Sequence, residues 1–567
     1  MSTVKITTLP NGPLKIEGVC EIVDAGGNVV EVKTKPDAYL LRRRMIAPSS
    51  DTDATNTSAQ LANRGEQAVV IGSGFGGLAA AVRLRARGYD VVVVEALDQP
   101  GGRARVFERD GCSFDAGPTV ITAPYLLDEL FSLVGRDRRD YFELLPVDPW
   151  YRVEFPDGSR FDYVGDEERI LDQIRQMEPR DVDGYRQMAR HMERIFDVGY
   201  TGLADKPFGE LTEMLRVVPD MVKLETWRSV YGLVAKYLRD PRLRQVFTFQ
   251  PLLVGGNPFS TTSIYSLIHW LERKWGVWFA RGGTASIVRA LVTLLGELGV
   301  EVRTNSPVAR IEVDKDHRAR AVVLDSGERL ACSVVVSNAD PSTTYEKLIA
   351  PQHRRRHTDR SLARVKGSMS LYVAYFATNK TFDDIKHHTI VLGPRYRGLL
   401  DDVFNKKILA DDFSLYLHRP TATDPALAPP GTDAWYVLSP VPNQQSGVDW
   451  ASAGPAYGDK ILRSLDRIAP GLSSSVTTFF SIDPRTFAGE LRTKDGAAFG
   501  PVPVLTQSAW FRFHNRSPDV DGLFFVGAGT HPGAGVPGVL CSAKVLERVV
   551  PSPARPLALP TLSRRAA

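Results

Sequence analysis

Val69-Val70-Ile71-Gly72-Ser73-Gly74-Phe75-Gly76-Gly77 decides how this chain folds. Ala68 to Ile71 is a short apolar run, and Leu78 to Arg87 carries Ala, Leu and Arg at helical spacing. The glycines at 72, 74 and 77 therefore stand in a strand-to-helix turn. Each has its own reason: Gly72 allows the tight turn, Gly74 leaves space for a pyrophosphate against the backbone, and Gly77 lets helix and strand pack closely. Unpaired N–H groups and the dipole at the helix start favour an anion there. Gly88 ends the helix, and Val91 to Val94 is a second β-branched run, completing a βαβ unit. Glu95 closes that run, 18 residues beyond Gly77, where it is placed to accept hydrogen bonds from a ribose diol. An acid in that place repels a 2′-phosphate, which disfavours NADP.

The loop and its acid imply a nucleotide without choosing between NAD and FAD. The choice comes from Pro100-Gly101-Gly102-Arg103-Ala104, followed by Phe114-Asp115-Ala116-Gly117-Pro118-Thr119. A Gly-Gly-Arg turn lets the chain pass close to a second large group, and Arg103 can reach a phosphate oxygen bidentately. Simple NAD dehydrogenases need no such extension, so FAD is the expected cofactor.

The rest of the chain frames this unit. Hydrophobic residues make up 43% and charged residues 24% of 567, ordinary globular usage that allows two or three domains. A net charge of +4 from 70 basic and 66 acidic residues gives no argument for nucleic acid, while a mild attraction to anionic lipid stays open. Cys20, Cys112, Cys332 and Cys541 form no CxxC pair, and no secretory leader is read, so a reduced, cytoplasmic setting is expected. No run of 18 residues is apolar throughout, so membrane contact is expected from one side only.

Residues 1–46 read as a small β-like appendage, with runs at Cys20 to Val23 and Asn28 to Val32 joined by a Gly-bearing turn. Residues 47–66 read as a flexible linker. The expected fold is α/β: a Rossmann-like FAD-binding domain from segments 67–150, 285–345 and 496–550. An inserted, mostly helical substrate- and membrane-contacting domain occupies 151–284 and continues through 346–495, and 551–567 reads as a disordered tail.

With these motifs in hand the chain resembles the bacterial and fungal phytoene desaturases, flavoenzymes of the wider amine-oxidase-like superfamily. The resemblance runs from about Ala68 to Val550. It rests on Phe114 to Thr122 (FDAGPTVIT), Leu252 to Thr262 (LLVGGNPFSTT), Trp275 to Gly283 (WGVWFARGG), Ser337 to Asp340 (SNAD), Val504 to Trp510 (VLTQSAW) and Phe525 to Gly538 (FVGAGTHPGAGVPG). It implies an FAD domain assembled from separated segments, and conversion of 15-cis-phytoene to all-trans-lycopene or a near intermediate. Gly72, Gly74, Gly77 and Glu95 match the adenosine and pyrophosphate motif, and Gly102 with Arg103 the Gly-Gly-Arg contact. Val308 falls where relatives lay backbone against adenine, and Gly527, Gly529, His531 and Gly535 fall in the C-terminal flavin motif. Glu213 and Arg216 fall where relatives carry an acid and an Arg proposed for the chemistry, with Glu here in place of the Asp expected. The N-terminal appendage is loosely similar to the opening of CDGSH-type iron–sulfur modules but lacks their Cys/His ligands.

Desaturating an unactivated C–C bond needs a hydride acceptor, which no side chain supplies, and a place for the proton. The flavin is expected to serve the first need, and Glu213, oriented by Arg216, the second. Recognition of a hydrocarbon rests on burial, and Phe247, Phe249, Phe259, Tyr265, Trp270, Trp275, Trp278 and Phe279 supply apolar area for a tunnel. Lys236, Arg239, Arg242 and Arg244 are expected as a basic rim at the lipid surface, with quinone or oxygen as the final electron acceptor. His531 has no second ligand at metal spacing, so a backbone-positioning role beside the flavin is expected, and no metal. A sister carotenoid flavoenzyme, an amine oxidase and a non-catalytic flavin-binding module remain as alternatives.

Overall fold

The computed structural model describes residues 65–560 throughout and, before them, five short strands among the first forty residues. In that separate first unit Lys5–Thr8, Leu14–Glu17 and Asp37–Leu40 form an antiparallel sheet, and Ile22–Val23 pairs with Val29–Val30. The turn expected at 24–27, nearly all of the expected linker, and 561–567 lie outside the described residues.

The second unit is built on two sheets. Five parallel strands lie in the order Glu301–Arg303, Asp90–Val94, Gln67–Ile71, Val334–Ser337 and Leu523–Phe525. Their near-continuous Val and Ile runs follow from burial on both faces. Ala68, Val70, Val91 and Val93 face a core shared with helices Phe75–Ala86, Thr284–Glu297 and Val536–Val549. Their neighbours Val69, Ile71, Val92 and Val94 pack on the other side with Val308, Ile311 and Val322 of a three-stranded antiparallel sheet. Strand Gln67–Ile71 runs on to one neighbour and Val334–Ser337 lies on its other side. The carboxyl ends of these two strands therefore mark the switch point at which open α/β sheets bind ligands.

The second sheet has seven strands, ordered Arg160–Tyr163, Tyr151–Glu154, His388–Val391, Leu415–His418, Asp433–Val441, Ser370–Thr378 and Val476–Ile482. Tyr151–Glu154 pairs in parallel with His388–Val391, which joins the 151–284 and 346–495 stretches into one lobe. The 151–284 stretch is mainly helical, as expected, whereas 346–495 supplies five of the seven strands and departs from the mostly helical picture. Helices Glu167–Met177 and Val182–Phe196 cover one face and Trp450–Leu465 the other. In Ser370–Thr378 both faces are buried, with Leu371, Val373 and Tyr375 on one core and Tyr372, Ala374 and Phe376 on the other. The alternation that betrays a half-buried strand is thus missing from SLYVAYFAT.

The end of the chain differs from the disordered tail expected from 551. Over 551–560 it runs as coil along the first helix: the Leu557 N–H donates to Gly88 O (2.7 Å), Arg85 Nη2 to Ala558 O (2.7 Å) and Tyr89 Oη to Pro551 O (2.7 Å). Three side-chain and backbone partners offset the polarity of an otherwise loop-like sequence.

Candidate functional site: one cavity from the glycine loop to an apolar chamber

The glycine loop leaves strand Gln67–Ile71 with Gly72 at φ +90°, a conformation that costs side-chain-bearing residues. Two turns of chain then come into contact: a Cβ on Gly77 would lie 2.0 Å from Gly72 O, so only glycine allows helix and strand this close. Beyond the loop, Glu95 is buried. Its Oε2 accepts hydrogen bonds from Ser73 N (2.8 Å) and Ser73 Oγ (2.7 Å), and its Oε1 from Leu97 N (3.0 Å). The acid expected to meet a ribose also locks the second residue of the loop.

A cavity of about 1010 Å³ opens along this loop. Glu95, Ser306 and Val308 line one end, Gly72, Gly74, Gly102 and Arg103 come next, and Gly527 with the stretch from His531 to Val539 follows. Of the residues singled out for the cofactor, Gly77 and Gly529 do not reach the lining. Gly77 serves packing, and a Cβ on Gly529 would lie 2.2 Å from Pro341 Cδ, so that position too answers to packing rather than cofactor contact.

The polar groups along the groove fit a dinucleotide. Arg103 Nε is buried with no acceptor among the described residues, as a donor held for a phosphate would be. Burial lowers the Arg103 pKa, and Asp340 across from it opposes that shift. At the far end the first turn of Val536–Val549 presents the N–H groups of Val536 and Gly538, which have no acceptor within the helix. His531 is neutral, its pKa pushed down to about 4 by burial; Nε2 faces Leu203 O at 3.4 Å and Nδ1 has no partner among the described residues. Arg512, buried, donates to Thr530 O (3.0 Å) and Ala528 O (2.6 Å) and fixes the Gly-rich stretch from behind.

Sequence reasoning missed Asn338, Asp340 and Arg512. Asn338 follows strand Val334–Ser337 at the switch point and touches both glycine segments: a Cβ on Gly76 or on Gly527 would each lie 2.5 Å from its Oδ1. Its motif, SNAD, was visible, but the contact is tertiary.

The same cavity continues into the second lobe as an apolar chamber walled by Met214, Val217, Met221, Leu252, Leu371 and Leu400, among others. The aromatic residues expected to form it are corrected by the structure: only Phe249 and Tyr265 reach the lining. Phe247 packs edge-on to Phe161 and His269, Phe279 against His387, and Trp275 against Phe196 and Tyr125. Those rings fill the cores, while other rings, Tyr200, Phe208, Tyr396 and Tyr416 among them, line the space together with the aliphatic side chains.

Glu213 and Arg216 also fall elsewhere. Glu213 Oε2 accepts from the Glu210 N–H (3.3 Å) in a capping box that opens helix Leu211–Lys223, Arg216 is exposed, and neither lines the cavity. The acid on the chamber wall is Glu272, of helix Leu267–Trp275, with its residue 1% exposed. Its Oε1 accepts from Tyr151 Oη (2.8 Å) and its Oε2 has no partner in good hydrogen-bond geometry among the described residues; burial pushes its pKa up to about 8, against the opposing pull of Tyr151, Tyr163 and Gln250 beside it.

Behind this wall His387, His388 and His418 cluster, all buried. Burial holds all three neutral, and the 3.1 Å contact between His387 Nε2 and His418 Nε2 is an N–H···N hydrogen bond between neutral rings. Of the four residues expected as a basic rim, Lys236 pairs with Glu225, Arg242 with Asp240, Arg244 Nε donates to Leu238 O (2.8 Å), and Arg239 is exposed.

Helix Leu211–Lys223 separates the chamber from solvent. Met214, Val217 and Met221 face inward, while Leu215 and Val222, at 61% exposure each, face outward and Trp227 stands 61% exposed just beyond. No helix among the described residues is long and apolar enough to cross a membrane.

Comparison with known proteins agrees with this geometry. Residues 75–544 match the family described as flavin containing amine oxidoreductase. The chain is 48% identical to a lycopene-forming phytoene desaturase of Pantoea ananas, over 84% of this chain and 97% of that protein. It is 43% identical to a neurosporene-forming phytoene desaturase of Rhodobacter capsulatus, over 86% and 95% of the two chains. Among solved structures it shares its fold with an oxidoreductase from Methanosarcina mazei (TM-score 0.60, 16% identity, 85% of this chain and 100% of that one). It does so also with cyclohexylamine oxidase from Brevibacterium oxydans (TM-score 0.56, 17% identity, 86% and 98%). A glycine-loop groove continuous with an apolar chamber, and relatives matched almost end to end, lead to one conclusion: the chain belongs to the flavin containing amine oxidoreductases and, within them, to the phytoene desaturase family.

Proposed function

We propose that this chain is an FAD-dependent desaturase that introduces double bonds into phytoene, forming lycopene or a less desaturated neighbour of it. The observation that carries the proposal is the single cavity joining a dinucleotide groove to a chamber with mainly apolar walls. A hydrocarbon offers no polar handle, so a chamber of this composition selects it by burial, at about 25 cal/mol per Å² of apolar surface removed from water. When bound, FAD supplies the hydride acceptor that no side chain provides. Glu95, with the Ser306 and Val308 backbone, holds the adenosine end. Arg103 and the loop N–H groups would hold the pyrophosphate, and the stretch from Gly527 to Gly538 would hold the flavin ring.

Substrate reaches the chamber from one side of a membrane, through the wall formed by Leu211–Lys223. That helix exposes Leu215, Val218 and Val222 on its outward side, and the turn Ala509–Phe511, with Phe511 also exposed, lies beside it. Lys223 and Arg228 flank the stripe and suit an anionic lipid surface on the cytoplasmic side. Quinone or oxygen then takes the electrons onward, which oxygen uptake measured with and without added quinone distinguishes.

The test is anaerobic mixing of the FAD-loaded protein in liposomes with phytoene. Bleaching of the flavin together with a red-shifting polyene spectrum is expected; an unchanged spectrum refutes the reading.

A further inference from the structure

Desaturation removes a hydride from one carbon and a proton from its neighbour, and the dinucleotide groove meets only the first need. Resting on the desaturase reading, we propose that Glu272, whose side chain belongs to the chamber wall, is the proton acceptor and a catalytic residue. The step balances: the hydride with its electron pair goes to FAD, the neighbouring C–H bond gives its proton to a Glu272 oxygen, and the electron pair left behind becomes the new π bond.

Position and bonding support this. Leu271, the residue before Glu272, packs in one core with Val536 and Leu540 of the helix that borders the flavin end, so helix Leu267–Trp275 links the groove to the chamber. Glu95, the other buried acid of the lining, is held by Ser73 and Leu97 at the opposite end of the groove, and Glu490 is paired with Arg105. Glu272 alone among the described lining acids combines a buried carboxyl with an oxygen that has no well-placed partner. Leaving a carboxyl oxygen without a well-placed partner costs stability that Leu would not, so packing does not account for it.

The surroundings leave Glu272 as the group that changes charge. Tyr151 and Tyr163 rise well above the usual phenol range through burial, Tyr185 is pushed up to about 12, and His269 is pushed down to about 3. Behind Tyr151, Tyr416 is raised and His388 is held near 3, both by burial. Arg273 points away, its Nη1 donating to Tyr185 Oη (3.2 Å) and its Nη2 lying 3.6 Å from Glu167. With the carboxyl near 8, about one molecule in ten carries the reactive carboxylate at pH 7, and that fraction falls about tenfold for each pH unit below 7 and levels off above 8. A base poised near the working pH is what proton abstraction calls for.

The experiment is stopped-flow flavin reduction of the holoenzyme by phytoene in liposomes across the pH range, with an infrared titration of the same protein free of substrate. Wild type is expected to speed up with pH to a plateau above about 8 and to show a protonated-carboxyl band at pH 7. Glu272→Gln is expected to keep its FAD, lose that band and the pH limb, and reduce flavin about 100-fold more slowly or worse. Flavin reduction by Glu272→Gln within about threefold of wild type, or absence of the band from wild type, overturns the assignment. Should Glu272→Gln not accumulate, Tyr151→Phe removes the hydroxyl that favours the carboxylate. It is expected to move the limb and the band's midpoint to higher pH, and an unmoved midpoint overturns the assignment. A wild-type protein that leaves phytoene unchanged refutes the desaturase reading itself, while the infrared band reports on Glu272 separately.

Discussion

Substituting Gly77 by Ala tests the groove where its geometry is least forgiving. The added Cβ would sit 2.0 Å from Gly72 O, and the nearest further atoms are Gly72 C at 3.1 Å and the Asn338 Cβ at 3.3 Å. Carbon and a carbonyl oxygen need roughly 3.0–3.4 Å, so the helix must move about an ångström off the strand. Neither partner can yield locally: Leu78, Ala79 and Ala80 behind Gly77 and Ala68 to Val70 ahead of Gly72 are buried without exposure. Overpacking of this kind costs about 1–3 kcal/mol, and here it displaces the loop N–H groups proposed to hold the pyrophosphate. A loss of about 3 kcal/mol corresponds to FAD affinity weakened by roughly two orders of magnitude. The assay is fluorescence titration of flavin-stripped protein with FAD, paired with a thermal melt. Gly296→Ala is the control of opposite sign, for nothing lies within 4 Å of its added Cβ and the position is an exposed helical site. That variant is expected to gain about 0.5–1 kcal/mol with FAD affinity unchanged. Gly77→Ala binding FAD as wild type does would refute the close-approach argument.

Arg103→Met removes a buried donor set for phosphate, so FAD affinity should fall about ten- to hundredfold, read in the same titration. Leu215→Glu with Val222→Glu places two charges on the outward stripe; liposome flotation should be lost while the melting temperature without lipid stays within the small range of surface changes. Burial raises the Asp115 pKa to about 7, so the folded state binds the proton more tightly than the unfolded one. Its contribution to stability is full at low pH and is lost as pH rises through about 7. Asp115→Asn, which keeps an acceptor for the Thr284 N–H (2.8 Å in the native pair), should flatten the melting curve's pH dependence between about 4 and 7.

The contrast between Glu95 and Glu272 explains how far such a sequence can be read. Glu95 was legible because its place depends on short-range order: strand, loop, helix, strand, acid, each fixed by its neighbours within thirty residues. The five-stranded sheet follows from the same kind of signal, since its strands are brief apolar runs beside glycine turns. Glu272 sits in LERKW, among charges that read as the wet side of an amphipathic helix. What turns it inward is the hairpin Tyr151–Glu154 with Arg160–Tyr163, more than a hundred residues earlier, whose tyrosines meet the helix only once the seven-stranded sheet has formed. That sheet was itself hidden, because strands buried on both faces carry no alternation. Helix Leu211–Lys223 stands out in sequence for its acid and Arg, yet the apolar residues on two of its sides are what the fold uses: Met214, Val217 and Met221 wall the chamber, and Leu215 and Val222 are exposed. Cofactor residues in this fold are therefore specified locally by backbone geometry, whereas substrate-facing residues are specified by which distant strands a helix lands on. A relative that kept the glycine loop but repacked the Tyr151 hairpin would keep FAD and change what it oxidises.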